Sequence, residues 1–411
     1  MPAIRLITRI LVALLLIPLL PAVAAADGES RPNPWARVEL IMSGVNKYLG
    51  KYTPVSSEEV GDGWIKHSFD PAGGEGPICI DGSTYSVFTR KGRDSKKLLV
   101  MLQGGGACWQ GLYRCSQSTA GQEPPGPREG IWDFDNKDNP FAHYSIVYMP
   151  YCDGSVFSGD NTVVDPGFVA ENGAAGVRHH RGLRNLSAGL DVAKATFKKV
   201  KKLTVAGSSA GGVGATAFAP SLLRFLYGNK PKELTVFNDA GPIAISLDSQ
   251  DAVAARDRDW QFAQFYPASC TDCSAYGQQT AIIHWRLKND PKIREAFYET
   301  DGDVTNIGFA SVNLPGFFDP LPPIIPFPTG LSQSMYRDLV LDNHAPIVEA
   351  YPKRYKRFIV SGDDSHTALQ TPLFYSQEVN GIPLNKWTKD FIADKKSWID
   401  LVEDFKALPE S

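Results

Sequence analysis

The chain has 411 residues, 43% of them hydrophobic and 21% charged, with a formal net charge of −3. That balance excludes a disordered chain and, with no basic excess, argues against nucleic acid as a partner. The length accommodates two or three small domains, or one large α/β domain with long insertions.

At the N-terminus, Arg5 and Arg9 accompany an apolar run over residues 10–20, too short to span a bilayer comfortably. Ala22, Ala24, Ala25 and Ala26 then supply small residues for cleavage before Asp27. Residues 1–26 read as a secretory signal peptide, with an uncleaved membrane anchor as the plainer alternative. Residues 27–411 read as a single domain, secreted or periplasmic, with no stable membrane insertion after cleavage. Export favours disulfides among the six cysteines. Cys108 and Cys115 are close enough to close a small loop, Cys270 and Cys273 form Cys-x-x-Cys, and Cys79 and Cys152 then pair by elimination. A redox role for Cys270 and Cys273 calls for a thioredoxin-like strand-to-helix setting, which the surrounding polar segment lacks. Zinc calls for further ligands, and no His or Cys lies close by in sequence. No metal and no cofactor is expected.

Residues 35–48 carry helical spacing. From about residue 96 short apolar strands (97–102, 145–149, 202–206, 234–237, 357–360) alternate with helices over 180–200, from about 212 to 227, and over 389–408. Residues 295–300 read as a strand or a late helix. Continuous apolar strands separated by helices predict the α/β class, a mainly parallel sheet with helices on both faces. The segments 121–139, 251–278 and 312–334 read as long loops or insertions of the kind that shape sites, with Ile324, Ile325 and Phe327 in a proline-rich loop.

Gly207-Ser208-Ser209-Ala210-Gly211 matches Gly-x-Ser-x-Gly, and it follows a strand and opens a helix. A nucleophile elbow needs that setting: small flanking residues permit the tight turn, which lifts the Ser209 hydroxyl clear of the sheet and aims the Ala210 N–H at a substrate carbonyl. The plain alternative is a glycine-rich turn with an ordinary serine. A phosphate loop would need the lysine of Gly-x-x-x-x-Gly-Lys, which is absent. Gly104-Gly105-Gly106-Ala107 ends the strand at 97–102, where the second half of an oxyanion hole belongs, and Gly105 and Gly106 are the expected donors beside Ala210. The base should be a histidine downstream of the acid. His366 follows the strand at 357–360 by a short polar loop, whereas His344 has no strand before it. The acid should follow a strand between Ser209 and His366, which makes Asp301 and Asp303 candidates and Asp239, after the strand at 234–237, the fallback, with a polar turn or a calcium-type Asp-x-Asp as alternatives.

Four stretches together resemble the pectin acetylesterase family, Notum-like α/β hydrolases: Cys79-Ile80-Asp81-Gly82-Ser83, Leu102-Gln103-Gly104-Gly105-Gly106-Ala107-Cys108, Tyr151-Cys152-Asp153-Gly154-Ser155-Val156-Phe157-Ser158-Gly159-Asp160, and Gly207-Ser208-Ser209-Ala210-Gly211-Gly212. The resemblance implies an α/β-hydrolase fold, hydrolysis of O-acyl esters, and a Ser209–Asp303–His366 triad with Asp303 preferred to Asp301. It also implies Cys79–Cys152 and Cys108–Cys115 disulfides. Gln103 stands where the family usually has Glu, Ala107 replaces an aromatic residue, and 218–356 follows the plant enzymes loosely. The expected partner is an acylated small molecule or carbohydrate, cleaved through an acyl-enzyme at Ser209. Lipid or aryl esters are the alternative substrates, and a non-catalytic hydrolase-like binding protein is the alternative of another class.

Overall fold

The computed structural model describes residues 31–126, 129–229, 231, 233–242, 250–274, 279–312 and 330–409. The expected signal peptide and the proline-rich loop with Ile324, Ile325 and Phe327 lie outside them. Their strands are β1 Ser56–Glu59, β2 Trp64–Ser68, β3 Ser86–Arg90, β4 Asp94–Leu102, β5 Gly106–Trp109, β6 Leu112–Cys115, β7 Tyr144–Met149 and β8 Asn161–Val169. There follow β9 Ala175–His180, β10 Lys202–Ser208, β11 Glu233–Asp239, β12 Ile293–Thr300, β13 Tyr355–Val360, β14 Glu378–Val379, β15 Ile382–Pro383 and β16 Leu401–Val402. The helices are α1 Pro34–Met42, α2 Gly182–Thr196, α3 Ala210–Thr216, α4 Ala219–Tyr227, α5 Gln250–Trp260, α6 Thr271–Ser274, α7 Gln279–Asn289, α8 Val304–Ser311, α9 Gln333–Ala350, α10 Leu373–Ser376 and α11 Leu384–Ile392.

The apolar runs become the middle of one sheet, in the order β1-β2-β3-β7-β4-β10-β11-β12-β13-β16. From β7 to β16 every pairing is parallel. Parallel strands bury both faces, so they read as unbroken hydrophobic runs. Successive residues of β4 enter opposite layers. Leu98, Val100 and Leu102 join a core shared with Leu186 and Leu190 of α2, while Leu99 and Met101 join one shared with Trp387 and Phe391 of α11. Truncating a buried aromatic such as Trp387 to Ala costs about 3–5 kcal/mol.

The antiparallel edge β1-β2-β3 and the hairpins β5–β6 and β8–β9 carry no such signal. β1 is Ser-Ser-Glu-Glu and wholly exposed, so only its backbone pairing makes it a strand. The region expected as one helix after residue 212 is two, α3 and α4, broken at Ala217–Phe218. The C-terminal helix expected over 389–408 is corrected to α11, which begins and ends earlier. Asp394 takes φ 52°, its N–H bonds the Phe391 carbonyl and the Lys395 N–H bonds that of Asp390. This is a Schellman termination with Asp in the left-handed position. The chain then turns back, packs Trp398 against Phe391 with the rings tilted and 4.9 Å apart, and adds β16 to the sheet edge.

All six cysteines are bonded, as Cys79–Cys152, Cys108–Cys115 and Cys270–Cys273. Both Cys270 and Cys273 are buried. No described helix is long and apolar enough to cross a membrane.

Candidate active site

β10 runs directly into Ser209, whose backbone sits at φ 55°, ψ −124°, before α3 starts at Ala210. Non-glycine residues rarely occupy positive φ, and the strain persists only where the surroundings over-determine it. Here the turn is held by the Ser209 N–H, which donates to the Asp239 carbonyl at 2.7 Å, and by the Val213 N–H, which donates to the Ser209 carbonyl. The two glycines of the motif have steric reasons. A Cβ on Gly207 would lie 2.0 Å from the Gly211 carbonyl oxygen, and one on Gly211 would lie 2.1 Å from that of Leu102.

The Gly104–Gly106 loop leaves β4, the strand beside β10. A Cβ on Gly104 would meet Ser209 Cβ at 2.9 Å, so this backbone lies directly against the elbow. Gly106 has φ +73°, and a Cβ there would be 1.9 Å from the Arg114 carbonyl across the β5–β6 hairpin. The Ser116 N–H bonds the Gly105 carbonyl, and the Cys108–Cys115 disulfide closes the hairpin.

His366 lies on the loop after β13. Thr300 Oγ1 donates to the Ser365 carbonyl at 2.7 Å. Beyond His366, the N–H groups of Ala368 and Leu369 donate to the two Asp239 carboxylate oxygens, at 2.8 and 3.1 Å. Ser208 Oγ donates to Asp239 as well, at 2.5 Å. Asp239 thus joins the elbow to the histidine loop: its carbonyl holds Ser209 and its carboxylate holds residues 368 and 369. Burial pushes its carboxyl above the usual range, against the pull of these donors.

Asp303 accepts the His366 Nδ1–H at 2.5 Å and is fully buried, while His366 is partly exposed. Asp303 is also the N-cap of α8, accepting the Asn306 N–H at Oδ1. Asp301 faces elsewhere. It receives Arg337 Nη1 at 2.8 Å, Ser361 Oγ at 2.5 Å, the Gly362 N–H and Gln333 Nε2. The two aspartates diverge, one toward the histidine and one into a structural clamp. His344 is inside α9, buried, stacked on Phe297 at 4.2 Å and bonded to the Tyr355 hydroxyl, away from this rim.

A cavity opens at Ser209. Its lining includes Gly106, Trp109, Val156, Arg256, Trp260 and Asn306. It is mostly apolar, and Arg256 places a cation in its wall, paired with Asp257 at 3.1 Å and lying over the Trp260 and Phe262 rings. Trp260 Nε1 donates to the Cys108 carbonyl at 2.7 Å, which fastens the end of α5 to the β5–β6 hairpin. The sequence reading missed Asp239's anchoring role, Asn306 and Arg256. Asn306 carried no signal of its own, since the N-cap preference marks Asp303 and the reciprocal capping box takes Glu or Gln, not Asn, at the third helical position.

The pectinacetylesterase family model matches residues 67–276, just over half of the chain and inclusive of the elbow and the Gly104–Gly106 loop. The chain belongs to the pectinacetylesterase family. Its relatives include palmitoleoyl-protein carboxylesterase notum1' of Xenopus laevis, 28% identical over 46% of this chain and 39% of that one. Pectin acetylesterase 7 of Arabidopsis thaliana is 29% identical over 34% of this chain and 37% of that one. The chain therefore spans less than half the length of the curated relatives it matches. The crystal structure of the Wnt deacylase Notum from Drosophila superposes with a TM-score of 0.56 at 19% identity, covering 80% of this chain and 93% of that chain. At that identity the likeness is one of fold, the α/β-hydrolase architecture.

Proposed function

We propose that the chain is a serine-dependent carboxylic ester hydrolase in which Ser209, His366 and Asp303 act as nucleophile, base and acid. The observation that carries this reading is the Asp303–His366 pair, held by Asp239 on the same frame as the strained Ser209 turn. In this mechanism neutral His366 takes the Ser209 proton as Oγ attacks the ester carbonyl. The oxyanion is met by the backbone N–H of Ala210 and those of Gly105 and Gly106. The imidazolium of His366 then protonates the departing alcohol, leaving an acyl-Ser209 ester. Water, deprotonated by His366, cleaves that ester and restores Ser209. Asp303 holds the imidazole with Nδ1 protonated, so that Nε2 is the free base.

Relatives named as a palmitoleoyl-protein carboxylesterase and a pectin acetylesterase share the chemistry of O-acyl ester cleavage. We take an O-acyl, especially O-acetyl, ester on an extracellular carbohydrate as the substrate. The mostly apolar pocket wall suits the acyl group, and the carbohydrate alcohol is taken from the likeness to pectin acetylesterase 7. Export of the domain formed by residues 27–411 is supported by its three disulfides together with the N-terminal sequence pattern. A fluorophosphonate probe tests the mechanism. It should label the wild-type chain at Ser209, and Ser209→Ala should lose both label and turnover while melting at a similar temperature. A folded Ser209→Ala protein with full activity rules the mechanism out, and an unlabelled, inactive wild type favours the non-catalytic binding protein.

A further inference from the structure

Next to the proposed acid lies a second buried carboxyl to which the reaction gives no part. Glu299 is the penultimate residue of β12, a strand buried along its whole length, and is 1% exposed. Asn306 stands between it and Asp303. The Asn306 Nδ2 amide lies 2.9 Å from Asp303 Oδ2, 3.2 Å from Glu299 Oε2 and 3.0 Å from the Ala240 carbonyl oxygen. A side-chain amide carries two hydrogens, so three oxygens can be served only with one hydrogen shared. Two buried carboxyls sharing one site do not both ionise.

The environment divides the roles. Asp303 accepts from His366 Nδ1, caps α8 through the Asn306 N–H, and sits at the positive end of that helix, all of which favour its anion. Among the described residues Glu299 has no cationic partner of this kind, and its Oε1 accepts the Thr300 N–H of its own strand at 3.1 Å. We propose that Glu299 is a positioning residue carried as the neutral acid, whose O–H donates to Asp303 and keeps Asp303 the single anion that orients His366.

The proposal rests on the reading of Asp303 and His366 given above. Among the described residues, the ionisable groups around Glu299 are Asp303 from the start of α8 and Tyr336 from α9, with Asp239 of β11 and Tyr298 of its own strand acting from the other face of the sheet and His366 beyond Asp303. Burial first, and then the Asp303 charge, hold the Glu299 carboxyl well above the usual carboxylate range, in keeping with the geometry. The proton stays on Glu299 through the cycle, so no step gains or loses one.

The test is the acid limb of kcat/KM on a short-chain aryl ester, which follows the proton on His366. Glu299→Leu removes the donor. Asp303 then carries unshielded charge, the protonated form of His366 is stabilised, and the limb should move to higher pH by about one unit. Glu299→Gln keeps a neutral N–H donor and should return the limb to within a few tenths of a unit of wild type. If Glu299 were ionised, both substitutions would remove a negative charge and move the limb to lower pH, which overturns the proposal, as does a Glu299→Leu limb that stays in place. A second measurement needs no activity. With a proton held only in the fold, wild type should lose stability relative to Glu299→Gln as pH rises from 5 to 8, by about tenfold in the folding constant per pH unit. A gap that is constant with pH overturns the proposal. A wild type that neither hydrolyses the ester nor labels at Ser209 refutes the esterase reading alone, and the stability measurement still decides the Glu299 proton.

Discussion

Two aspartates separated by one residue have entirely different surroundings, and the difference fixes what each substitution should do. Asp303→Asn keeps the shape of the α8 cap but removes the charge beside His366. If Asp303 is the acid, turnover should fall by roughly four orders of magnitude, as expected when an imidazole loses its orienting anion. Asp301→Asn instead weakens a buried ion pair with Arg337 and the clamp on residues 361 and 362. Breaking such a pair from one side costs about 3–5 kcal/mol, so this variant should melt well below wild type yet keep most of its turnover per folded molecule. Turnover per folded molecule, set against the thermal melt of each variant, separates the two. A dead Asp301→Asn beside an active Asp303→Asn reverses the assignment. Spacing alone could not make this choice, because it depends on Arg337 of α9, 36 residues further along the chain. The elbow was legible for the opposite reason: the steric needs of Gly207 and Gly211 are local and show directly as glycines.

Elements show the same division. The strands 97–102 and 202–206 were readable because burial on both faces leaves an unbroken apolar run, and β10 extends only to Ser208. The β5–β6 hairpin was not, since its four-residue strands owe their form to each other and to a disulfide. Yet this hairpin carries Gly106 at one end and Trp109 at the other, and its Cys108 carbonyl holds Trp260 of α5. Replacing Cys108 and Cys115 together by Ser releases a small loop, worth about 2–3 kcal/mol by chain entropy. The larger expected effect is on catalysis. A displacement of about 1 Å in the proposed oxyanion donors lowers turnover by about a hundredfold. We expect kcat for an aryl ester to drop by one to two orders of magnitude, with KM also rising as the Trp109–Trp260 wall loosens. Unchanged kcat and KM with only a lower melting temperature would show that hydrogen bonding alone shapes the hairpin.

Across the whole molecule, buried ionisable groups of opposite sign set how the fold meets acid. His180 is fully buried on the hairpin side, its Nδ1–H donating to the Asp153 carbonyl and its Nε2 accepting from Arg178 Nη1 at 2.7 Å. His344 is buried on the helix side, against Phe297 and Tyr355. Burial, and next the charge of Arg178 for His180 and of Arg357 for His344, bring both down to about 3. Each is neutral in the fold and binds a proton on unfolding below its ordinary value of about 6.5, so each contributes stability that is present above that pH and lost as pH falls toward 3. Asp153 and Asp191, both raised to about 6 chiefly by burial, take up protons in the fold over part of the same range and act in the opposite sense. The total curve therefore mixes cancelling slopes, and a difference between variants isolates one of them. His344→Phe retains a ring to stack on Phe297 and loses the Tyr355 bond, so at pH 7.5 it should be less stable than wild type by about 1–2 kcal/mol. Between pH 6 and pH 4.5 wild type alone loses stability through this residue, by about 1.4 kcal/mol per unit, so the deficit should close and then reverse. Urea unfolding of both proteins at pH 7.5, 6.0 and 4.5 measures it. An equal deficit at all three values would mean that His344 takes its proton without leaving the fold, and that the neutral, stacked state described here is not what holds α9 against β12 and β13.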